Sequence, residues 1–288
     1  MKKNSVAIVG NVTGNDASIL NNMLSAEGMS NLYTITLYGA DGQPEQEALK
    51  DALDDCMEED VDIDSIVCLP LALTPHKAVR HALEDDSATI LPVTISDETR
   101  YITVEQEDIQ KKAALLELCL KRDLSILMPR IAIISSDSEN TDVIKKMQED
   151  DTNIFGPLPG EILETEGIRA FDALIIVGKE NKTEEYIKSL SKKPSIILLT
   201  GIAAPIVATE PNNIYEALAL VTEVAKNRIV YDFPLKNPLP KLFVEKKEDG
   251  DKARYAKKKG GFDPAAHKRE NVTYNTKAPT EEKQVEES

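Results

Sequence analysis

The stretch Val6-Ala-Ile-Val9 is an unbroken apolar run that ends at Gly10, and residues 65–69, 130–134 and 173–177 repeat this arrangement. Each run is followed by Gly, Pro, Ser or Asn and then by apolar residues at helical spacing. Short apolar runs of this kind are typical of strands that are buried on both faces of a sheet. Their alternation with helices predicts an α/β fold.

Further segments extend this pattern along the chain. Residues 32–37, 89–95 and 195–200 have the composition of strands. Residues 108–120 and 213–224 carry apolar side chains at spacings of three and four, which is typical of amphipathic helices. Strands and helices therefore interleave over most of the chain.

The composition changes near residue 228, and this change defines the expected domains. Residues 1–228 form the α/β region, 229–240 are a proline-rich linker, and 241–288 are charged and nearly free of aliphatic residues. A segment that cannot bury apolar surface stays disordered, so we predict a disordered tail. The stretch from Lys236 to Lys277 carries 12 Lys and Arg against six Asp and Glu.

Charge and length exclude several classes of protein. The chain has 288 residues, 34 Lys and Arg against 50 Asp and Glu, and a net charge of −16. This charge opposes non-specific binding of the α/β region to nucleic acid or anionic lipid. The opening apolar run is too short for a signal peptide, and no run approaches the length of a membrane span. We therefore expect a cytoplasmic protein.

The number and spacing of the cysteines agree with a cytoplasmic location. Cys56, Cys68 and Cys119 are odd in number, lie far apart and lack C-x-x-C spacing. A zinc site or a redox motif would need closer spacing. We predict three free, buried thiols.

Two segments are candidates for ligand binding. The glycine loop that follows the first strand contains Gly10 and Gly14 and could hold an anion on backbone N–H groups, although its spacing is not G-x-G-x-x-G. The alternative is a tight turn whose Asn15 or Asp16 caps the next helix.

The second candidate segment is basic. Thr74 precedes an expected helix start, and His76, Lys77, Arg80 and His81 follow it. The cluster either binds an anionic ligand, such as a phosphate group, or forms an ordinary solvated helix face. G-x-S-x-G, H-E-x-x-H and EF-hand motifs are absent from the sequence. The residues alone thus predict an α/β protein of undefined activity.

Several segments in order resemble one family of enzymes. Residues 102–133 resemble a family segment in which a threonine-containing helix is followed by the motif P-R-I-A-V. Residues 156–159 resemble the motif G-P-x-P-A-D of the same family. Residues 171–173 are similar to a strand that begins D-A, and 205–211 are similar to P-I-I-R-T-S-P. The family with these motifs is that of the 4-hydroxythreonine-4-phosphate dehydrogenases of pyridoxal phosphate biosynthesis.

The resemblance implies a three-layer α/β/α fold of two subdomains with a cleft, related to isocitrate and isopropylmalate dehydrogenases. It further implies a homodimer, a divalent metal, a phosphorylated substrate and NAD or NADP as cofactor. Fold is transferable between relatives, whereas activity depends on the residues of the site.

The family's catalytic motifs are altered in this chain. Its N-P-H-A-G-E motif corresponds to 135–140 and its H-D-Q-G motif to 178–182, and neither segment contains histidine. Its G-H-T-E motif has no counterpart between residues 81 and 89. The substrate arginine of P-I-I-R-T corresponds to Ala208, whereas 75–77 keep basic residues near the family's P-I-N-K motif. The resemblance thus implies that the metal ligands are lost.

Three functions remain open at this point. The leading hypothesis is a non-catalytic binding or interaction protein. The second is an active NAD(P)-dependent oxidoreductase that draws metal ligands from His76 and His81. The third is association with nucleic acid through residues 254–262 of the tail, where basic and aromatic residues alternate, with a solubilising or partner-docking tail as its alternative.

Overall fold

The structure is a computed structural model, and it describes residues 3–10, 25, 31–39, 42–58, 61–97, 99–135, 141–150, 153–161, 163, 168–178 and 182–231. Several predicted features lie outside the described residues. They are Gly14 with its neighbours in the glycine loop, most of the linker, and the whole of the tail. The predictions made for them stay predictions.

Ten strands of the described chain form one mixed sheet. They are β1 Asn4–Val9, β2 Tyr33–Tyr38, β3 Ser65–Cys68, β4 Leu91–Ser96, β5 Thr99–Val104, β6 Ile131–Ile134, β7 Ile154–Leu158, β8 Ala173–Val177, β9 Ile196–Thr200 and β10 Ile206–Ala208. The four apolar runs became β1, β3, β6 and β8, and the three further strand predictions became β2, β4 and β9. Strands β5, β7 and β10 were not predicted.

Six α-helices occur among the described residues. They are α1 Glu45–Met57, α2 Pro75–Ala82, α3 Ile109–Leu118, α4 Thr141–Asp150, α5 Lys182–Leu190 and α6 Ile214–Val230. Helix α3 continues into a π-helical turn, Cys119–Asp123. The amphipathic segments predicted at 108–120 and 213–224 are confirmed as α3 and α6, and α6 is longer than expected.

The sheet consists of two parallel halves that run in opposite directions. The strand order is β2-β1-β3-β10-β9-β4-β5-β8-β6-β7. Strands β2, β1, β3 and β10 are parallel, as are β5, β8, β6 and β7. Three antiparallel pairings separate the halves, namely β10 with β9, β9 with β4, and β4 with β5. The carboxyl ends of the two halves therefore lie at opposite edges of the sheet.

Helices cover both faces of the sheet, which confirms the three-layer α/β/α fold. On one face α3, α4 and α6 pack over a continuous apolar core. On the other face the core is divided into two clusters, with α1 and α2 over the first half and α5 over the second. Within the described chain, no helix is both long enough and apolar enough to span a bilayer.

A buried ionic network joins the π-helical turn to the end of α6. Arg122 and Asp123 end the π-helical turn, and Arg228 reaches them from the last turn of α6. All three side chains are buried. Asn227 also donates a hydrogen bond to the carbonyl of Asp123 at 2.8 Å. Because isolated charges are costly to bury, the two guanidinium groups need this carboxylate.

Candidate ligand pocket

A pocket of about 300 Å³ opens at the carboxyl ends of β3 and β10. In the sheet, Ala208 at the end of β10 pairs with Cys68 at the end of β3. The N–H of Thr209 then donates to the carbonyl of Cys68 at 3.0 Å, so the backbone segments that follow β10 and β3 stay close together where the strands end. In open α/β sheets, ligands bind outside the carboxyl ends of parallel strands. We call this cavity the ligand pocket.

The walls of the ligand pocket are mainly apolar. The described residues that line it are Leu69, Pro70, Leu71, Ala72, Leu73, Thr74, Pro75, Ser195, Ile197, Ala208, Thr209 and Glu210. None of these side chains is cationic, and the exposed carboxylate of Glu210 is the one formal charge among them. Electrostatic attraction for a phosphate group would have to come from residues outside this lining.

Any side chain at Gly10 would clash with Leu69, which lines the ligand pocket. Its N–H donates to the carbonyl of Tyr38 at 3.2 Å, and the N–H of Leu69 donates to the carbonyl of Val9 at 2.8 Å. A Cβ atom at position 10 would lie 2.8 Å from Cβ of Leu69, closer than packed carbon atoms approach. Glycine at position 10 therefore lets the end of β1 pack closely against Leu69.

Within the basic segment, Thr74 lines the ligand pocket, whereas His76 and Lys77 lie outside the lining. Thr74 lines the ligand pocket, and its carbonyl accepts the N–H groups of Lys77 and Ala78 at 2.9 Å each. His76 is half-buried and Lys77 is exposed on the first turn of α2, and neither lines the pocket. The structure thus brings Thr74 into the pocket and places the predicted cationic groups beside it.

The environment of His76 is positively charged. Burial is the main cause that lowers its pKa, and the charges of Arg80, Lys77 and Lys112 lower it further. Lys112 lies on α3 and was not predicted, because nothing in the sequence links it to residue 76. A lowered pKa keeps the imidazole neutral at neutral pH, so it can accept a hydrogen bond there.

The first residues of the two segments that correspond to the family's metal motifs are Ser135 and Gly178, and neither lines the ligand pocket. Ser135 follows β6 and Gly178 follows β8, at the sheet edge opposite the ends of β3 and β10. Residues 136–140 and 179–181 lie outside the described residues. Within the described chain, no group of three or more His, Cys, Asp or Glu side chains could hold a metal ion. The described residues therefore do not fit a divalent metal.

The cysteines do not supply a nucleophile. All three are free thiols, as predicted, although Cys56 is half-buried rather than buried. Burial raises the pKa of Cys68 to about 12, and burial with the nearby Asp64 raises the pKa of Cys56 to about 12. Only a thiolate attacks electrophiles or binds metals readily. These thiols remain protonated at neutral pH.

Comparison with known proteins gives one curated relative. The chain is 24% identical over 183 residues to the 4-hydroxythreonine-4-phosphate dehydrogenase of Bacteroides thetaiotaomicron. The alignment covers 53% of this chain and 50% of the relative, so it spans about half the length of that protein. No protein-family model matches the chain.

Solved structures extend the similarity to the fold. The 4-hydroxythreonine-4-phosphate dehydrogenase of Burkholderia phymatum matches with a TM-score of 0.54 at 13% identity, over 83% of this chain and 100% of that one. A terephthalate 1,2-cis-dihydrodiol dehydrogenase of Burkholderia xenovorans matches with a TM-score of 0.53 at 13% identity, over 77% and 98%. The chain is therefore similar to 4-hydroxythreonine-4-phosphate dehydrogenases in part of its sequence, and similar to them in its fold.

Proposed function

We propose that this protein is a non-catalytic relative of the dehydrogenases that binds a small molecule in the ligand pocket. The observation that carries the proposal is Ala208. It lines the pocket at the position where the resemblance expects a substrate-binding arginine. An arginine would offer a rigid fork of donors to a phosphate or carboxylate, whereas a methyl group offers none.

The sequence supports the loss of catalysis independently. Metal-assisted oxidation of a hydroxyl group needs a Lewis acid that polarises the developing carbonyl. The only histidines of the chain are His76, His81 and His267. None of them falls in the segments that correspond to the family's metal motifs, and a site built from other ligands would need different coordination chemistry.

Retention of binding is supported by the construction of the pocket. Its walls are formed by strand ends and by the segment that leads into α2, so no rearrangement is needed to create it. Small-molecule sites are generally such preformed, mainly apolar concavities with a few polar groups. Phosphorylated hydroxy acids and dinucleotides are the ligands to try first, because the resemblance implies them and Lys77 lies close by.

The test separates binding from turnover. The purified full-length chain is melted with NAD, NADP, 3-phosphoglycerate and Mg²⁺, since a ligand that binds only the folded state raises the melting temperature. In parallel it is assayed with 4-phosphohydroxythreonine, NAD and Mg²⁺ or Zn²⁺. We expect a thermal shift that Thr74→Val weakens, without turnover. Clear turnover would overturn the proposal, and so would a flat panel.

Assembly and location follow the same resemblance. We propose a cytoplasmic homodimer, and sedimentation velocity of the full chain measures the assembly directly. A monomer at micromolar concentration would contradict the proposed dimer. This outcome would leave the binding proposal standing, because the lining described above comes from one copy of the chain.

A further inference from the structure

The backbone around the ligand pocket is poorly suited to hold an anion. Two residues of the described lining, Pro70 and Pro75, have no N–H group. Three others donate their N–H groups within the protein at 2.8 to 3.0 Å, namely Leu69 to the carbonyl of Val9, Ala72 to the carboxylate of Glu45, and Thr209 to the carbonyl of Cys68. Anion sites built from backbone need several N–H groups that point at the ligand. Most of the donors that such a site would use are therefore engaged.

Side chains do not supply the missing positive charge. The described lining contains no Lys, Arg or His, and its one formal charge is the exposed carboxylate of Glu210. Residues 11–30, which follow Gly10, contain no Lys, Arg or His either, so that stretch adds no cation. A phosphate or carboxylate group inside the lining would thus meet a like charge and no countercharge.

The surface that the lining does offer is apolar. Leu73 is 40% exposed, whereas Leu71, two residues earlier, packs against the core beneath α1 and α2. The half-buried Ile197 of β9 and the buried Ala208 of β10 continue the apolar lining. A ligand that covers these side chains removes apolar surface from water, which favours binding.

The size of the ligand pocket limits the group that enters it. Its volume of about 300 Å³ lies at the lower end of the range for small-molecule sites. Such sites fix the orientation of an apolar ligand with a few polar groups, and the lining residues Thr74, Ser195 and Thr209 carry hydroxyl groups. The volume suits a group of about the size of one ring.

We propose that the ligand pocket holds an uncharged, apolar part of its ligand, about the size of one aromatic ring, and leaves an anionic group outside the described lining. Leu73 packs on this apolar part. The proposal rests on the function proposed above, because it assumes that the pocket binds a small molecule. It assigns the ligand to amphiphilic compounds, such as aryl esters of phosphate, and excludes compact polar phosphates.

The test is calorimetric titration of the full-length chain with phenyl phosphate and with glycerol 3-phosphate. Both are phosphate monoesters, so they differ in the apolar part alone. We expect phenyl phosphate to bind at least about tenfold more tightly, because only its ring covers the apolar lining. Equal affinities would overturn the proposal.

Variants of Leu73 place the ring in the ligand pocket. Leu73→Ser should weaken the binding of phenyl phosphate several-fold, and Leu73→Met, which keeps the apolar surface, should retain it. Leu190→Ser is the matched control, because Leu190 is 49% exposed and does not line the ligand pocket. The melting temperatures of the ligand-free variants verify that each is folded. If Leu73→Ser binds phenyl phosphate as tightly as Leu190→Ser does, the proposal is overturned.

The outcomes also separate this proposal from the function on which it rests. If the two esters bind equally well, the pocket binds small molecules and only the assignment of an apolar ligand fails. The same assignment alone fails if neither ester binds while the thermal panel of the preceding section shows a shift. If neither ester binds and that panel is flat, both proposals are wrong.

Discussion

Arg228 donates from Nε and Nη2 to the two carboxylate oxygens of Asp123, at 2.9 Å each, although both side chains are buried. Its Nη1 atom also donates to the carbonyls of Ile202 and Ala203, at 2.9 and 2.7 Å. A fork of this geometry is among the strongest hydrogen-bonded pairs in proteins. The pair joins the π-helical turn, the end of α6 and the turn after β9, three segments that are distant in the chain.

Asp123→Asn should strongly destabilise the protein. The substitution removes the carboxylate charge that pairs with the buried Arg122 and Arg228, and breaking a buried pair in this way costs about 3–5 kcal/mol. Denaturant unfolding measures the loss. Asp108→Asn is the control, because Asp108 pairs with Lys112 on the surface at 3.4 Å and should cost under about 1 kcal/mol. Equal losses in the two variants would contradict the importance of the network.

The same carboxylate should make stability depend on pH. Burial alone would raise the pKa of Asp123, but the charges and hydrogen bonds of Arg228 and Arg122 outweigh it and hold the pKa below its ordinary value. In the unfolded chain the pKa is about 3.9, so the stabilisation is complete above that pH and is lost as the pH falls through the lower, folded-state pKa. Unfolding free energies measured between pH 7 and pH 2 should show this loss in the wild type and much less of it in Asp123→Asn.

Gly201→Ala should destabilise the turn that Arg228 holds. Gly201 has φ +91°, and a Cβ atom there would lie 2.1 Å from the carbonyl oxygen of Thr89. Gly178 also has φ +91°, but a Cβ atom there would meet no atom of the described residues within 4 Å, so Gly178→Ala isolates the backbone cost of about 1–2 kcal/mol. We expect a clearly larger loss for Gly201→Ala in thermal unfolding. Similar melting temperatures for the two variants would show that the contact with Thr89 is easily relieved.

Ala208→Arg should give the ligand pocket affinity for phosphate esters. The guanidinium would offer paired donors that the described lining does not contain, and a gain of about tenfold for glycerol phosphate is expected. Ala208→Met adds comparable bulk without charge and is the control. Calorimetric titration of both variants decides the matter, since equal affinities would mean that position 208 does not face the bound anion.

The sequence predicts best the strands and helices whose residue pattern is compatible with a single type of secondary structure. The apolar runs of β1, β3, β6 and β8 are buried on both faces, so composition alone marks them. By contrast, β10 has only three residues, and β7 contains Gly156 and Pro157, which are more typical of turns. These strands depend on neighbours from distant parts of the chain, a kind of information that a local pattern does not contain.

The candidate site was predictable in part for a related reason. Thr74 lines the ligand pocket, and its position just before a helix start is a local feature that the sequence shows. Lys112 affects the environment of His76 through packing between α3 and α2, which are far apart in sequence. The role predicted for Gly10 in anion binding stays a prediction, and its close approach to Leu69 is a non-local contact that the sequence does not show.

The opposed directions of the two halves of the sheet also bear on how this protein can change over evolutionary time. Strand β8 has five residues and so spans about 17 Å, and Gly178 follows its carboxyl end, at the sheet edge opposite the carboxyl ends of β3 and β10. Ser135 and Gly178 are not among the described residues that line the ligand pocket. Substitutions at these two positions and substitutions in the described pocket lining can therefore accumulate separately in the course of evolution.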